Sequence, residues 1–245
     1  MTAIWQTPPA AFHLAEGVAH VWRLRLDAPH LNAALFRPLL NSEECARADR
    51  YRFDLNRNQF TSARGVLRTL LARYTGAEKT AIEFQFSTHG KPALDPNSCD
   101  HPITFNVSHS GAMALIGFTI KNAIGVDVEE IERTVSEEKI ADRYFSPDEV
   151  ARLNGLPNHD QSAGFFRCWT RKEAFIKAHG DGLSLPLDSF SVTFGEGEPP
   201  QLVRFDREPG PSGWNLAAPD MGDGYVGAAC VASPATEYRF FEYAE

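Results

Sequence analysis

Gly125-Val126-Asp127-Val128-Glu129 and Trp169-Thr170-Arg171-Lys172-Glu173-Ala174-Phe175-Ile176-Lys177 are the two stretches on which the reading of this chain turns. In the first, Ile124, Val126 and Val128 alternate with Asp127 and Glu129, the period of two of a strand. Both carboxylates therefore leave one face, roughly 6.6–6.8 Å apart along the strand. The second stretch reads as a helix, with Glu173 and Lys177 four residues apart and so on one side. Phe166, Trp169, Glu173 and Ile176 recur at three- and four-residue steps, which puts Glu173 on an apolar stripe. A carboxylate there has to be paired, hydrogen-bonded or metal-bound, because burying it bare is costly. Brought together, Asp127, Glu129, Glu173 and Lys177 would make a hard-cation site with a phosphate clamp beside it. Carboxylates with no His or Cys among them suit Mg²⁺ or Mn²⁺ better than zinc.

Outward from these stretches the pattern is mixed. Val18 to Asp27 alternates as a strand, and Asn41-Ser42 begins a helix with Glu43 and Glu44 in its first turn. From Gln59 to Tyr74, Phe60, Leu67, Leu70, Leu71 and Tyr74 share one stripe. Arg47, Arg50, Arg52, Arg57, Arg64, Arg68 and Arg73 make this region basic, which a solvated helix face would equally explain. Ile82–Phe86 reads as a strand before the turn His89-Gly90-Lys91-Pro92, and Asp95 to Pro102 as a surface loop. Ile103–Val107, Ala112–Ile120 and Ala123–Glu129 alternate around tight turns and predict an antiparallel meander. Ser136 precedes a helical stretch ending near Phe145, Ser146-Pro147-Asp148-Glu149 has the form of a capping box, and Gln161–His179 is the strongest helix, closed by Gly180. Ser189–Phe194, Leu202–Phe205, Trp214–Ala217, Gly224–Ala232 and Tyr238–Tyr243 are strand-like. Each half runs strand, helices, strands, which predicts a duplicated α+β unit without a strict sequence repeat.

The 245 residues carry 24 Lys+Arg against 32 Asp+Glu, a net charge of -8 that argues against a protein coating nucleic acid. Cys45, Cys99, Cys168 and Cys230 include no C-x-x-C pair, so reduced cytosolic thiols are the plain reading. Met1 to Ala11 has neither a basic start nor an apolar run, and no stretch is long and apolar enough to span a bilayer; the expected location is cytoplasmic. Taken singly, each motif has an ordinary explanation. D-x-E occurs on many solvated strand faces, most lone histidines are structural, and Gly90-Lys91-Pro92 makes a serviceable turn. His109, between Ser108 and Ser110 at a strand end, is well placed to donate to a phosphate, with turn N–H groups beside it. No G-x-S-x-G elbow is present, so nucleophilic serine catalysis is a poor reading.

Taken in order, the motifs carry a family likeness. Gly90-Lys91-Pro92, Phe105-Asn106-Val107-Ser108-His109-Ser110, Gly125-Val126-Asp127-Val128-Glu129, Phe145-Ser146-x-x-Glu149, Trp169-x-x-Lys172-Glu173-Ala174-Phe175-x-Lys177 and Gly182 to Phe190 together resemble the 4′-phosphopantetheinyl transferases of the Sfp type. The likeness runs in order from about Asn41 to Phe194 and more loosely beyond. It implies an α+β monomer of two pseudo-symmetric halves, 1–121 and 122–245, each a small antiparallel sheet packed with helices, and a ligand cleft between them. It also implies transfer of phosphopantetheine from coenzyme A to a serine hydroxyl of an acyl or peptidyl carrier protein, releasing 3′,5′-ADP.

By the same resemblance Asp127, Glu129 and Glu173 would hold Mg²⁺ on the pyrophosphate, with Lys172 and Lys177 on its phosphates. Ser108 and His109 would grip the nucleotide's phosphates, and Lys91 and Pro92 would line the adenine end. Arg47 matches a basic residue expected at the 3′-phosphate. Glu44 stands where the likeness expects a lysine, with Arg50 as substitute, and Glu149 fills an auxiliary acidic position. The carrier is expected to meet residues between Ile131 and Leu156. Chemically, the leaving nucleotide's charge must be neutralised and the serine proton removed, and Glu173 is the expected base, with Lys177 as its catalytic companion. A Mg²⁺-dependent nuclease or phosphodiesterase is the competing enzyme class, disfavoured by the chain's acidity. A catalytically idle coenzyme A- or carrier-binding module is the non-enzymatic alternative.

Overall fold

The computed structural model describes residues 5–9, 13–87, 90–98, 101–131 and 137–244, with Leu183 described by its backbone alone. His89, Cys99, Ser136 and residues 132–136 of the expected carrier surface lie outside that set.

Along the first half run β1 (Val18–Arg25), α1 (Ala33–Phe36), α2 (Ser42–Asp49), α3 (Asp54–Thr75), β2 (Phe84–Phe86), β3 (Pro92–Leu94), β4 (Ile103–Ser110) and β5 (Met113–Ile120). The second half repeats the plan with β6 (Ile124–Glu130), α4 (Glu137–Tyr144), α5 (Pro147–Asn154), α6 (Asn158–His179), β7 (Phe190–Val192), β8 (Leu202–Phe205), β9 (Asn215–Ala217) and β10 (Tyr225–Val231). In each, the opening strand pairs antiparallel with the closing one, which pairs antiparallel with its predecessor: β1-β5-β4 and β6-β10-β9. Each also has a two-stranded ribbon, β2-β3 or β7-β8, and a helix of 22 residues, α3 or α6. Both long helices end on a left-handed glycine, Gly76 at φ 75° and Gly180 at φ 96°, where a side chain would be strained. The duplicated α+β plan is therefore present in topology, although no sequence repeat announces it.

Two expectations are corrected. The predicted meander breaks after its second strand: β6 leaves the β4-β5 sheet and pairs with β10 instead. Its contact with β4 runs through side chains, Asn106 Oδ1 accepting from the Val126 N–H at 2.9 Å and Ser110 Oγ from the Glu130 N–H at 3.2 Å. The last strand, β11 (Glu237–Glu242), falls within the expected second half, yet it pairs in parallel with β1 in the first half's sheet.

Three apolar clusters follow from this layout. One packs α3 on the first sheet around Trp22, Leu67, Leu70, Phe105 and Phe118. A second packs α4–α6 on the β7–β10 region around Phe165, Phe175, Phe190 and Phe205. The third, with Val21, Leu115, Ile124, Val126, Val128 and Ala229, is the seam between the two sheets. Ile124, Val126 and Val128 fill that seam, so alternation turns Gly125, Asp127 and Glu129 to the opposite face of β6, toward α6. A Cβ on Gly125 would land on the backbone of Ala174 and Ala178. Only glycine, facing two alanines, lets helix and strand approach this closely.

Candidate active site

That close approach brings α6 onto the carboxylate face of β6. Lys177 Nζ donates to Asp127 Oδ1 at 2.6 Å and to Ser108 Oγ at 3.1 Å, and Ser108 Oγ donates to the same Asp127 oxygen at 2.9 Å. Asp127 is buried, and its other oxygen, Oδ2, has no hydrogen-bond partner among the described residues. Burial raises the Asp127 pKa against the pull of Lys177. Glu129 is raised by burial and then by the charge of Asp127. Glu173 is raised by burial, then by Asp127, with a smaller push from Glu129 and an opposing pull from Lys177. The three carboxylates thus sense one another's charge. Among the described residues, however, no three His, Cys, Asp or Glu side chains are drawn together as a ready metal cage, and Lys177 supplies the local positive charge.

Glu173 and Lys177 open into a cleft of about 350 Å³ between the two halves. Its first-half wall is made by Arg47, Tyr51, Phe60 and Arg64 from the α2–α3 region, and by Lys91, Pro92, Asn106 and His109 around β3 and β4. Its second-half wall adds Ile176, Gly180 and Gly182. Four cationic side chains against Glu173 make this a basic cavity in an acidic protein. His109 is kept neutral by burial and by the nearby charges of Lys177 and Arg47, so it enters as a neutral donor or acceptor.

Comparisons with known proteins converge on one family. Residues 29–120 match the model described as "4'-phosphopantetheinyl transferase, N-terminal", and residues 123–230 the 4'-phosphopantetheinyl transferase superfamily. The 4'-phosphopantetheinyl transferase HetI of Nostoc sp. is 34% identical over 98% of both chains. The chain belongs to the 4′-phosphopantetheinyl transferase superfamily. Sfp of Bacillus subtilis is 33% identical over 69% of this chain and 71% of its own. Among solved structures, a holo-(acyl-carrier-protein) synthase from Bacillus anthracis, in complex with CoA (3',5'-ADP), covers 44% of this chain and 93% of its own at TM-score 0.38 and 21% identity.

Within this transferase the sequence-derived site separates into groups. Arg47, Lys91, Pro92, His109, Glu173 and Lys177 line the cleft, and Asp127 and Glu129 stand behind it on β6. Ser108 is buried in the Asp127–Lys177 network instead of presenting its hydroxyl to the cleft. Lys91 turns its ammonium across the halves, donating to the carbonyls of Lys177 at 2.5 Å and Ile124 at 3.2 Å. Burial and the charge of Lys177 lower its pKa to about 8. Arg50, at the end of α2, is exposed and outside the cleft lining.

Lys172 is the clearest correction. Its Nζ donates to Leu187 O at 2.8 Å and Phe190 O at 2.7 Å and meets Glu149 Oε2 at 2.7 Å. An ammonium has three protons, so none is left for a phosphate. The core-facing row of α6 is Phe165, Cys168, Lys172 and Phe175, one residue out of phase with the predicted stripe, and Glu173 sits on its margin. Glu149 explains its own position too. It closes the capping box of α5 with Ser146, takes the Val192 N–H at 2.8 Å, and neutralises Lys172. Asn106, Tyr51, Phe60 and Arg64 are cleft residues absent from the predicted set; Arg64 lies four residues from Phe60, a helical spacing that signals a shared face.

Proposed function

We infer that this chain transfers the 4′-phosphopantetheine group of coenzyme A to a serine hydroxyl of an acyl or peptidyl carrier protein, releasing 3′,5′-ADP. The observation that carries the reading is the cleft itself: cationic on its first-half wall, with Glu173 and Lys177 at its second-half edge and the Asp127–Glu129 pair directly behind. Basic walls suit a polyanionic nucleotide, and three mutually repelling carboxylates suit a divalent cation.

A magnesium ion fits the residues present. Asp127 Oδ2 is a buried oxygen with no hydrogen-bond partner among the described residues, and an all-oxygen donor set of Asp127, Glu129 and Glu173 is the chemistry magnesium prefers. When bound there it would supply Lewis-acid neutralisation of the pyrophosphate. The chain's own groups do the rest. Lys177, partly exposed on the cleft wall, shifts part of its donation from Asp127 to a phosphate oxygen and stabilises charge building on the leaving nucleotide. Glu173 makes no side-chain hydrogen bond among the described residues, and its raised pKa makes it a stronger base for the incoming serine proton. His109 adds a neutral donor on the nucleotide side.

The same reading has the protein as a cytoplasmic monomer, in keeping with unpaired Cys45, Cys168 and Cys230; among the described residues no helix is long and apolar enough to cross a membrane. Mass spectrometry tests the function: an apo carrier incubated with the protein, coenzyme A and Mg²⁺ should gain one phosphopantetheine on serine. An unmodified carrier across acyl and peptidyl types would refute it.

A further inference from the structure

Strand β6 meets β4 along an edge where, among the described residues, no backbone ladder joins the two, since β6 pairs through its backbone with β10 alone. Several of its polar groups on that edge are met by side chains instead. Lys91 Nζ donates to Ile124 O at 3.2 Å, Asn106 Oδ1 accepts from the Val126 N–H at 2.9 Å, and Ser110 Oγ accepts from the Glu130 N–H at 3.2 Å. Asn106, Ser108 and Ser110 leave one face of β4 at every second residue, so a single polar row of that strand runs along β6.

The same row holds the two carboxylates of β6. Ser108 Oγ donates to Asp127 Oδ1 at 2.9 Å. Burial and then the charge of Asp127 push the Glu129 carboxyl up, and a side-chain hydrogen bond from Ser110 pulls against them. A hydroxyl can donate and accept at once, and Ser110 uses both capacities, on the Glu129 carboxylate and on the Glu130 N–H. Joined directly, neighbouring strands lie about 4.7–4.9 Å apart. Joined through side chains, β4 and β6 leave a slot in which the Ser108 hydroxyl, the Asp127 carboxylate and the Lys177 ammonium meet. The far end of the row is anchored in turn. Tyr225 Oη donates to Glu130 Oε1 at 3.1 Å and accepts from the Ala112 N–H at 3.1 Å, while Gln59 Nε2 donates to Gly111 O at 2.9 Å.

We propose that Asn106 and Ser110 are positioning residues, which hold β6 on either side of the Asp127–Glu129 pair and so fix both carboxylates at the depth and spacing a divalent cation requires. This rests on the transferase reading. Asn106 sets the strand one residue before Asp127. Ser110 orients the Glu129 carboxylate itself and pins the amide one residue after it. A backbone ladder would hold β6 as firmly but would close the slot that the row of side chains keeps open. Partners that orient a metal ligand in this way set metal affinity by about 10–100-fold.

The test uses Ser110→Ala, Ser110→Thr, Asn106→Leu and Asn106→Asp beside wild type. Mg²⁺ is titrated by calorimetry into each protein saturated with coenzyme A, and 3′,5′-ADP, which lacks the pyrophosphate, is titrated separately. Ser110→Ala and Asn106→Leu should each weaken Mg²⁺ binding by about 10–100-fold and lower kcat more than they raise KM, while 3′,5′-ADP binds as before. Ser110→Thr keeps the hydroxyl and Asn106→Asp keeps the acceptor for the Val126 N–H, so each should recover part of the loss. Amide hydrogen exchange reads the same contacts without any ligand: the Val126 and Glu130 amides should be protected in wild type and exchange faster in Asn106→Leu and Ser110→Ala respectively. Unchanged Mg²⁺ affinity in both variants, or equal losses for Mg²⁺ and 3′,5′-ADP, would overturn the proposal. The two serine variants carry the comparison should Asn106→Leu prove too unstable to assay. If wild type bound Mg²⁺ in a Ser110-dependent way yet modified no carrier, the transferase reading would fall while the positioning role stood.

Discussion

Replacing Lys172 by Met separates the structure from the expectation that this lysine serves the pyrophosphate. The ammonium is fully buried and its partner carboxylate is 3% exposed. Met keeps much of the aliphatic length but removes the charge, both carbonyl hydrogen bonds and the ion pair, and it leaves the Glu149 carboxylate in the core with the Ser146 and Val192 N–H groups and the Cys168 thiol for neighbours, none of them charged. Breaking a buried pair from one side costs about 3–5 kcal/mol. In a chain of this size each kcal/mol moves Tm by about 2–4 °C, so a fall of roughly 6–20 °C is expected. Urea and thermal unfolding followed by circular dichroism measure it. A double-mutant cycle with Glu149→Gln, which keeps the capping acceptor, should show strong coupling, the double variant being far less destabilised than the two single losses together. Stability within about 1 kcal/mol of wild type, combined with abolished transfer, would refute the reasoning and return Lys172 to the substrate.

Four further outcomes are expected. Asp127→Ala should fold yet lose turnover by roughly two orders of magnitude or more, the scale seen when transition-state charge stabilisation is removed, and activity assays on the purified variant check it. The pH profile of kcat should fall on the acid side as Glu173 protonates through its raised pKa. Because Lys177 pulls that pKa down, Lys177→Met should move the residual acid limb to higher pH. Burial raises Asp127, and burial together with the charge of Asp127 raises Glu129 and Glu173, so the folded state holds more protons than the unfolded one, and stability should decline as pH rises from the ordinary carboxylate range through the raised values. Mg²⁺ with coenzyme A should reverse that decline, raising Tm more at pH 8 than at pH 5, and Asp127→Ala should lose the magnesium increment in differential scanning calorimetry. Gly125→Ala should impair stability and transfer together, because the added methyl pushes α6 off β6.

Much of this was legible in the chain because local signals carried it. The helix start at Asn41-Ser42, the capping box at Ser146–Glu149, the Gly180 stop and the short strands of the second half stand within a residue or two of where their patterns put them. What escaped was set by distant partners. Helix α6 packs on aromatic core to one side and on β6 and β10 to another, so apolar residues surround it and the stripe is ambiguous by one position. The burial of Lys172 depends on Glu149, a separate helix's cap, and no periodicity reports that pairing. The course of β6 was missed because its partner β10 comes after all the intervening helices, whereas the tight turn before it argued for β5. Pro92 opening β3 likewise hid a strand, since proline is tolerated only at such an edge or first position. Arg64 was visible only as one arginine among seven; its place on the cleft wall depends on how α3 packs against the sheet.

The parallel pairing of β1 with β11 has a bearing on how the chain comes into being. Arg23 is joined to Glu242, 219 positions further along the chain, and the Gln6 backbone threads against the same late strand. During synthesis the opening sheet must therefore wait, one border unfilled, until the residues of β11 have left the ribosome. An exposed border of that kind invites pairing with a neighbouring nascent chain. Polysome-borne intermediates should accordingly be held by chaperones until the late strand arrives and seals the first half shut.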